Sequence, residues 1–406
     1  MKISFFLFLF LYNLYAFSQT ASGDLEAYLN LSISNIPENS GDDYRVPANT
    51  ELTSWENCIQ TLLNNDLTTA RTHADMINYQ IVAYTHTANN NMYYIVEEKV
   101  PQTNYWGTYV FAQNPATNAL IIQAPHSSFD FNTGKQAIYS FVRLNNAALF
   151  LNGAHRCNHS TASTCSGTTS VCSSTSEAYK ISDMAHNSDT VWQKTTALMN
   201  NAHSVFVQLH GFSKQPSDPY VILSNGTDQT PATDYAVMIK DALFNQDNSL
   251  TFKIAHIDNW TRLVGFTNTQ GRLLNESTNP CTTSAASTTG KFIHIEQEKS
   301  KLRENASGWE KLFQALHSVF IASLSTDSVN KVVMLSENPF KKTIRFSGNN
   351  IKNITLYNIL GSNYYKANND NNQSEFLIDT SNYPNGIYIL KMLSESGIVY
   401  KKLVRN

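Results

Sequence analysis

The sequence carries little charge and almost no excess of either sign. Of its 406 residues, 15% are charged, and 29 basic against 32 acidic side chains leave a net charge of −3 at pH 7. Proteins that bind nucleic acid usually present a strongly basic face. We therefore expect no nucleic-acid partner, and a globular chain that is long enough for two or three domains.

Two common catalytic motifs are absent as well. The chain has no glycine-rich phosphate loop and no Gly-x-Ser-x-Gly nucleophile elbow, and the Ser127-Ser128 pair does not supply one. A cysteine nucleophile is also not expected, because the chain is exported and its cysteines lack the His and Asn partners that activate such a nucleophile. Covalent catalysis by serine or cysteine is therefore not expected.

Long apolar runs are missing beyond the N terminus. There, Lys2 is followed by ISFFLFLFLYNLYAF, and the small residues Ala16 and Ser18 precede Gln19. This pattern predicts a cleaved signal peptide over residues 1–18. The alternative is a membrane anchor, but the run is short for a span and the following TASGD lacks positive charge. We expect export, with no transmembrane segment after cleavage.

Cysteine is scarce, and the count is odd. In an oxidising compartment some of the five cysteines should pair, and at least one must stay free. Three of them lie in CNHSTASTCSGTTSVC, which is typical of a stapled surface loop. A zinc site is the alternative, although the spacing matches no zinc finger. The connectivity stays open.

The chain does contain alternating helical and strand patterns. Residues 51–78 predict two short helices, and segments such as GKQAIYSFVRLN and TVWQKTTALMNNA alternate with apolar runs such as AALFLNGAH and SVFVQLHGF. This alternation predicts an α/β domain, with a mixed, mostly parallel sheet flanked by helices, over residues 19–325. Ligands in such sheets bind outside the carboxyl ends of the strands.

Three strand ends carry side chains that can bind a metal. His126 and Asp130 follow the strand ALIIQAP, His210 ends SVFVQLH, and His294 and Glu296 share one face of FIHIEQ. A catalytic zinc site needs two or three such ligands, an open position for water and a nearby carboxylate. Each residue alone could be structural, such as a hydrogen-bonded histidine. Together they predict a zinc site with Glu296 or His294 beside it.

A family resemblance accompanies these residues. The segments PHSSFDFNT, LNGAHR, SDMAHN, VQLHGF and HIEQEKSKLR resemble zinc carboxypeptidases and N-formylglutamate amidohydrolases. The resemblance implies a phosphorylase/hydrolase-like fold with zinc on His126, Asp130 and His210, and Glu296 as general base and acid. It also implies that Arg156 or Arg303 binds a substrate carboxylate. The sequence departs from the carboxypeptidase pattern His-x-x-Glu, because the acid is an aspartate one residue further on.

Other polar side chains near these segments have weaker assignments. We expect His186 to line the substrate cleft, with His294 beside it, whereas Asp183, Ser188 or Asp189 could cap the helix that follows. The alternative for Arg156 is a structural ion pair, and Arg303 could simply lie on a helix face.

The last seventy or so residues differ in character. After a linker at 326–335, short alternating strands separated by Asn, Gly and Pro turns predict a small antiparallel β-sandwich over residues 336–406. Its Asn338-Pro339, LYNILG, Pro384-Asn385-Gly386-Ile387-Tyr388 and Lys401-Lys402 resemble the C-terminal sorting domain of the type IX secretion system of Bacteroidetes. That resemblance implies contact with the outer-membrane secretion machinery and a secreted or surface-attached protein.

The sequence thus predicts an exported zinc hydrolase that cleaves an amide or peptide bond near a carboxylate. Its substrate would be a small peptide or an acyl-amino acid. One alternative is a secreted binding protein on a degenerate hydrolase scaffold. Another is a glycan-binding adhesin, for which the candidate platform residues are Tyr93, Tyr94, Tyr105 and Trp106.

Overall fold

A computed structural model describes residues 19–321, 333–335, 338–348, 351–358, 361–371, 373–394 and 397–406. The predicted signal peptide at 1–18 and most of the predicted linker lie outside these residues. The chain splits into two compact units, Met1–Ile321 and Ala322–Asn406.

The first unit is built on a mixed sheet of ten strands, which confirms the predicted fold class. The sheet order is β1-β2-β3-β4-β6-β5-β9-β12-β10-β11, and the central run β6-β5-β9-β12 is parallel. Its strands are β1 (Thr20–Gly23), β2 (Tyr79–His86), β3 (Asn91–Glu98), β4 (Thr108–Ala112), β5 (Thr117–Ala124), β6 (Asn146–Leu151), β9 (Val205–Phe212), β10 (Val221–Ser224), β11 (Phe252–Ile254) and β12 (Phe292–Glu298). A separate hairpin pairs β7 (Thr168–Thr169) with β8 (Glu177–Ala178).

Helices cover both faces of this sheet. One apolar core joins the sheet to α1, α4, α6 and α9, and the other joins it to α2, α3 and α5. The helices are α1 (Leu25–Ser34), α2 (Asn49–Leu63), α3 (Leu67–Asp75), α4 (Thr133–Leu144), α5 (Val191–Met199), α6 (Tyr235–Gln246), α7 (Ala255–Asp258), α8 (Thr269–Leu274) and α9 (Ala306–Phe320). The two helices predicted within 51–78 correspond to α2 and α3.

The register of the central strands decides which side chains meet. Ile293 and Ile295 of β12 belong to the first core, so the alternate residues His294 and Glu296 face the second. Parallel pairing sets Glu296 opposite His210 on β9. Polar residues therefore replace the apolar core at the carboxyl ends of these strands.

The structure differs from the expected strands in two ways: it adds β1, β7, β8 and β10, and it shortens one predicted strand. Strand β10, which the sequence pattern did not indicate, enters between β12 and β11 and runs antiparallel to β12. The predicted strand LTFKIAHI pairs only over Phe252–Ile254, because the chain turns into α7 at Ala255.

Two disulfides staple the predicted cysteine-rich loop. Cys157 pairs with Cys172, and Cys165 pairs with Cys281, while Cys58 is free and buried. The expectation that pairing leaves one free cysteine is confirmed. Burial raises the pKa of the Cys58 thiol to about 12, so it is a poor nucleophile.

The second unit is antiparallel, as expected. One sheet has the order β13-β14-β17 and the other β16-β15-β18-β19, and their core includes Leu356, Leu390 and Leu403. The strands are β13 (Val333–Leu335), β14 (Thr343–Gly348), β15 (Ile351–Asn358), β16 (Asn363–Asn368), β17 (Glu375–Asp379), β18 (Gly386–Ser394) and β19 (Gly397–Arg405).

The prediction of a glycan-binding aromatic platform is wrong for two of its four residues. Tyr93 and Trp106 are fully buried, so neither ring can stack on a glycan from solvent. Both belong to the apolar cores of the first unit. In the described part of the chain, no helix has the length and apolar character required to span a bilayer.

The cysteine pairing gives a direct test of this fold. We expect thiol titration of the full chain to detect no reactive thiol when it is folded, one in denaturant and all five after reduction. A Cys58→Ala variant should show none in denaturant before reduction. Two or more free thiols in the unreduced wild type would contradict the pairing.

Candidate active site

The candidate site lies at the carboxyl ends of β5, β9 and β12. His126 follows β5 after one proline, and the backbone N–H groups of Phe129 and Asp130 both donate to its carbonyl. This turn brings Asp130 back beside the His126 ring, which explains why a four-residue spacing can serve one site. His210 lies on the neighbouring strand β9.

Three potential ligand atoms form a compact, buried triangle. His126 Nδ1 lies 3.2 Å from His210 Nδ1 and 3.3 Å from Asp130 Oδ2, and His210 Nδ1 lies 3.5 Å from that same oxygen. Each of the three residues is at most 4% exposed. Ligands about 2.05 Å from a tetrahedral zinc ion are separated by about 3.3 Å, so these spacings suit such an ion.

Outer hydrogen bonds fix how the two imidazoles face this triangle. His126 Nε2 lies 2.9 Å from Asp183 Oδ1, and His210 Nε2 lies 2.8 Å from Gln208 Oε1. Both partners are acceptors, so each Nε2 carries the proton and each neutral ring turns its Nδ1 lone pair inward. Two lone pairs and a carboxylate oxygen then converge away from water. The Gly211 N–H also donates to Asp130 Oδ2, and a cation held between the three atoms would stabilise the rest of the arrangement, so the donor set fits a divalent metal ion.

Without a bound ion, the pKa shifts of the two imidazoles have opposite directions. Burial lowers the pKa of His210 to about 4. Burial and Arg156 also lower the pKa of His126, but the Asp183 and Asp130 carboxylates overcome them and raise it. Burial alone would raise the pKa of Asp130. The hydrogen bonds with His126 and His210 have the larger combined effect and lower this pKa, so the carboxylate stays ionised.

Asp183 has a role that sequence reasoning missed. Its Oδ2 accepts from Arg156 Nε at 3.0 Å and Nη2 at 2.6 Å, while its Oδ1 holds His126. The proposed capping role is wrong, because the side chain of Thr190 caps α5. In sequence, an aspartate shortly before a helix has the pattern of an N-cap. Its contacts with His126 and Arg156 become evident only in the folded loop. Arg156 thus lies at the site, with Nη1 3.4 Å from His126 Nδ1.

Glu296 and His294 lie on the other side of His210. The His294 ring stacks on His210 with centroids 4.2 Å apart, and Glu296 Oε1 lies 3.8 Å from His294 Nε2. Burial raises the pKa of Glu296 well above its usual range and lowers that of His294 well below. Glu296 Oε2 and His294 Nδ1 are buried with no hydrogen-bond partner among the described residues. They are therefore available to a ligand.

Glu296, His210 and His294 also form a second group with metal-ligand spacing, with atoms within 4.8 Å of one another. This group shares His210 with the first triangle. The first triangle fits a single ion better, because its atoms are closer and its imidazoles are oriented by outer partners. An ion there would leave Glu296 beside it and outside its ligand set.

The remaining predicted residues occupy the walls. His186 stacks flat on Tyr179 with centroids 3.5 Å apart, and burial lowers its pKa to about 3, so it is a neutral part of the cavity lining. Arg303 donates to the backbone carbonyls of Gln297, Phe131 and Phe212. Its guanidinium therefore ties three segments together, and its role in carboxylate binding stays a prediction.

Comparison with solved structures gives distant similarities, among them one to an amidohydrolase and one to a mannanase. The crystal structure of an N-formylglutamate amidohydrolase from Ralstonia eutropha JMP134 is 10% identical with a TM-score of 0.31, over 56% of this chain and 99% of that one. An endo-β-1,4-mannanase from Thermotoga petrophila is 9% identical with a TM-score of 0.15, over 55% and 51%. At these TM-scores neither similarity assigns a function. No curated protein matches the chain.

The C-terminal unit has a clear match. Residues 338–406 match the family described as the secretion system C-terminal sorting domain. This match agrees with the antiparallel sheets and with the motifs from Asn338-Pro339 to the closing basic strand. The chain thus carries a type IX sorting domain, and the protein is secreted or attached to the cell surface.

Proposed function

We propose that residues 19–321 form a zinc-dependent hydrolase that cleaves an amide or peptide bond near a substrate carboxylate, outside the cell. One observation carries this proposal: two imidazole nitrogens and a buried carboxylate oxygen converge at 3.2–3.5 Å. Beside them lies the buried Glu296, whose Oε2 has no hydrogen-bond partner among the described residues. Such a group combines ligands for one ion with a general base.

The chain's own residues have distinct roles in this proposal. His126, Asp130 and His210 would hold zinc, which when bound supplies a Lewis acid that activates water near neutral pH. Glu296 would take a proton from the attacking water and deliver it to the leaving nitrogen. Its buried position allows it to hold that proton between the two steps.

Arg156 supplies positive charge at the same place. Its guanidinium lies between Asp183 and the His126 ring and lines the cavity beside Glu296. A fixed cation there would stabilise negative charge that develops on the carbonyl oxygen, or bind a substrate carboxylate. Asp183 keeps both Arg156 and His126 in position.

Metal analysis tests the ligand set. We expect the purified wild type to bind about one equivalent of zinc and His126→Ala and His210→Ala to lose it, because each removes one of three ligands. His203→Ala, at an exposed histidine, is the matched control and should keep the metal. Full zinc in both site variants would remove the centre as described. Zinc without turnover of any acyl-amino acid or peptide would favour the binding-protein alternative.

Replacement of the general base separates catalysis from metal binding. We expect Glu296→Gln to lower kcat by about 10²- to 10⁴-fold while zinc content stays at the wild-type level. Glutamine has the shape of the protonated acid, so folding should be retained. The matched control is Glu375→Gln, at an exposed position of the C-terminal unit. Wild-type turnover by Glu296→Gln would refute the assigned base.

Asp183 offers a test of the outer hydrogen bonds. We expect Asp183→Asn to weaken zinc affinity by about 10- to 100-fold, since the amide neither neutralises Arg156 nor strengthens His126 as a ligand. Competition with a chromogenic chelator measures this affinity directly. Asp189→Asn, at an exposed position in the same loop, should leave it unchanged. Equal affinities of the two variants would show that Asp183 does not orient His126.

A further inference from the structure

Two cavities meet at the candidate metal centre. The larger, with a volume of about 750 Å³, extends past Phe131, Lys214 and Lys299, and we name it the cationic cavity. The smaller, of about 430 Å³, extends past Thr168 and Thr267, and we name it the neutral cavity. The residues that line both are Arg156, Val171, Leu263 and Glu296. Arg156 and Glu296, the proposed catalytic side chains, therefore lie where the two cavities meet.

Basic residues outnumber acidic ones in the lining of the cationic cavity, but Arg156 and Arg262 are ion-paired with Asp183 and Asp218 behind it, so Lys214 and Lys299 carry most of its available positive charge. Its lining has five basic residues, Arg156, Lys214, Arg262, Lys299 and Arg303, and three acidic ones, Asp130, Glu296 and Glu298. Two of the acids belong to the candidate centre, and Glu298 caps the turn Lys299–Arg303 through Ser300 and Lys301.

Two lysines of this cavity are available to a ligand. Lys214 Nζ donates to the Gln215 carbonyl and lies 5.4 Å from the Tyr220 ring centroid, and it forms no ion pair within the described residues. Lys299 lies 3.9 Å from Glu304 with about half of its side chain exposed. Both ammonium groups therefore keep donor capacity for a carboxylate.

Apolar surface adjoins these cations. Phe129 and Phe131 are 38% and 46% exposed, which is unusual for phenylalanine. Lys299 Nζ lies 4.3 Å from the Phe131 ring centroid. Aromatic faces beside ammonium groups suit a ligand that carries a carboxylate on an apolar stem.

The neutral cavity has a different chemistry. Apart from the shared Arg156 and Glu296, its lining has no Lys, Arg, Asp or Glu. Four histidines, which include the candidate ligands His126 and His210, line the end at the metal centre, and four threonines line the cavity as well. Its wall includes Thr168 and Thr169, in a segment held by the disulfides Cys157–Cys172 and Cys165–Cys281. This cavity is thus pre-formed, and it is far larger than a formyl group, whose volume is on the order of that of one or two waters of about 30 Å³ each.

The junction itself carries backbone strain. Leu263, which lines both cavities, has a φ of +58°, a conformation that is rare for a residue with a Cβ. Such strain persists where surrounding structure holds it and is common at functional sites. Leu263 therefore marks the boundary between the two cavities as a defined feature of the fold.

We propose, on the basis of the hydrolase function above, that the substrate is a peptide chain that occupies both cavities and is cleaved at an internal amide bond. A segment with a carboxylate side chain lies in the cationic cavity, and an uncharged segment lies in the neutral cavity. Both sides of the cleaved bond are larger than a formyl or acetyl group. The site then acts on acidic peptides within the chain rather than on single acyl-amino acids.

Binding to an inactive variant tests the cavity assignment separately from hydrolysis. The probes are acetylated and amidated hexapeptides of alanine with one glutamate moved through each position, and their glutamine counterparts. On zinc-loaded full-chain Glu296→Gln at low salt, we expect the best glutamate peptide to bind about 10-fold more tightly than its glutamine counterpart. Adding Lys214→Gln and Lys299→Gln should reduce this preference by about 3- to 10-fold.

The matched control adds Lys240→Gln instead, which alters an exposed lysine of α6 outside both cavities and should leave the preference intact. High salt should weaken the preference of the Lys240→Gln control for glutamate over glutamine peptides. It should not weaken that of the variant with both Lys214→Gln and Lys299→Gln. Equal binding of glutamate and glutamine peptides at every position would overturn the cationic cavity as an acidic subsite.

Hydrolysis by the wild type tests the neutral cavity. Mass spectrometry should show cleavage inside the hexapeptides, with glutamate on one constant side of the bond. We expect kcat/KM at least about 10-fold above that for N-formylglutamate and N-acetylglutamate, since remote binding energy is absent from these small substrates. Faster cleavage of the small substrates would overturn the two-cavity substrate. Selective binding without cleavage of any probe would instead overturn the hydrolase proposal and leave the cavity assignment standing.

Discussion

The central constraint in this protein is the convergence of three electron pairs in a site without solvent. His126 and His210 each donate a proton outward, to Asp183 and Gln208, and so must present a bare nitrogen inward toward Asp130. In water these atoms would be hydrated, but here they are buried at separations of 3.2–3.5 Å. A cation held between them would make this arrangement favourable, and the outer hydrogen bonds of both histidines keep their Nδ1 atoms turned toward it.

The sheet and an amide network together hold the histidines. Parallel strands bring the ends of β5 and β9 to one edge, and Gln208 lies two residues before His210 on the same face. The Gln208 side-chain amide donates to Gln123 Oε1 and Gln270 Oε1, at 2.9 and 3.1 Å, so its carbonyl oxygen is left for His210. A buried chain of amides therefore selects the tautomer of a residue at the site. The loop that follows the stapled segment and leads to α5 supplies Asp183.

The sequence predicts the parts of this arrangement that depend on local patterns. Apolar runs that end in His126, His210 and Glu296 indicate parallel strands, and the carboxyl ends of such strands share an edge, so their proximity is expected. The tail is also predictable, because its turns and short strands are local features, and the match to residues 338–406 agrees.

Long-range partners are not predictable in this way. Asp183 lies 57 residues from His126, and its position depends on a loop that has little regular structure and two disulfides. Its neighbours in sequence suggested a helix cap. Strand β10 was missed because its apolar stretch is only four residues long, and its place in the sheet depends on pairing with β12. The three backbone partners of Arg303 likewise come from separate segments.

A crystal structure of the zinc-soaked protein, with anomalous diffraction measured at the zinc edge, tests the central claim most directly. We predict one strong peak about 2.0 to 2.2 Å from His126 Nδ1, His210 Nδ1 and an Asp130 oxygen, with Glu296 next to it and outside the ligand set. A peak at another position, or no peak while these three side chains keep their present separations, would contradict the account.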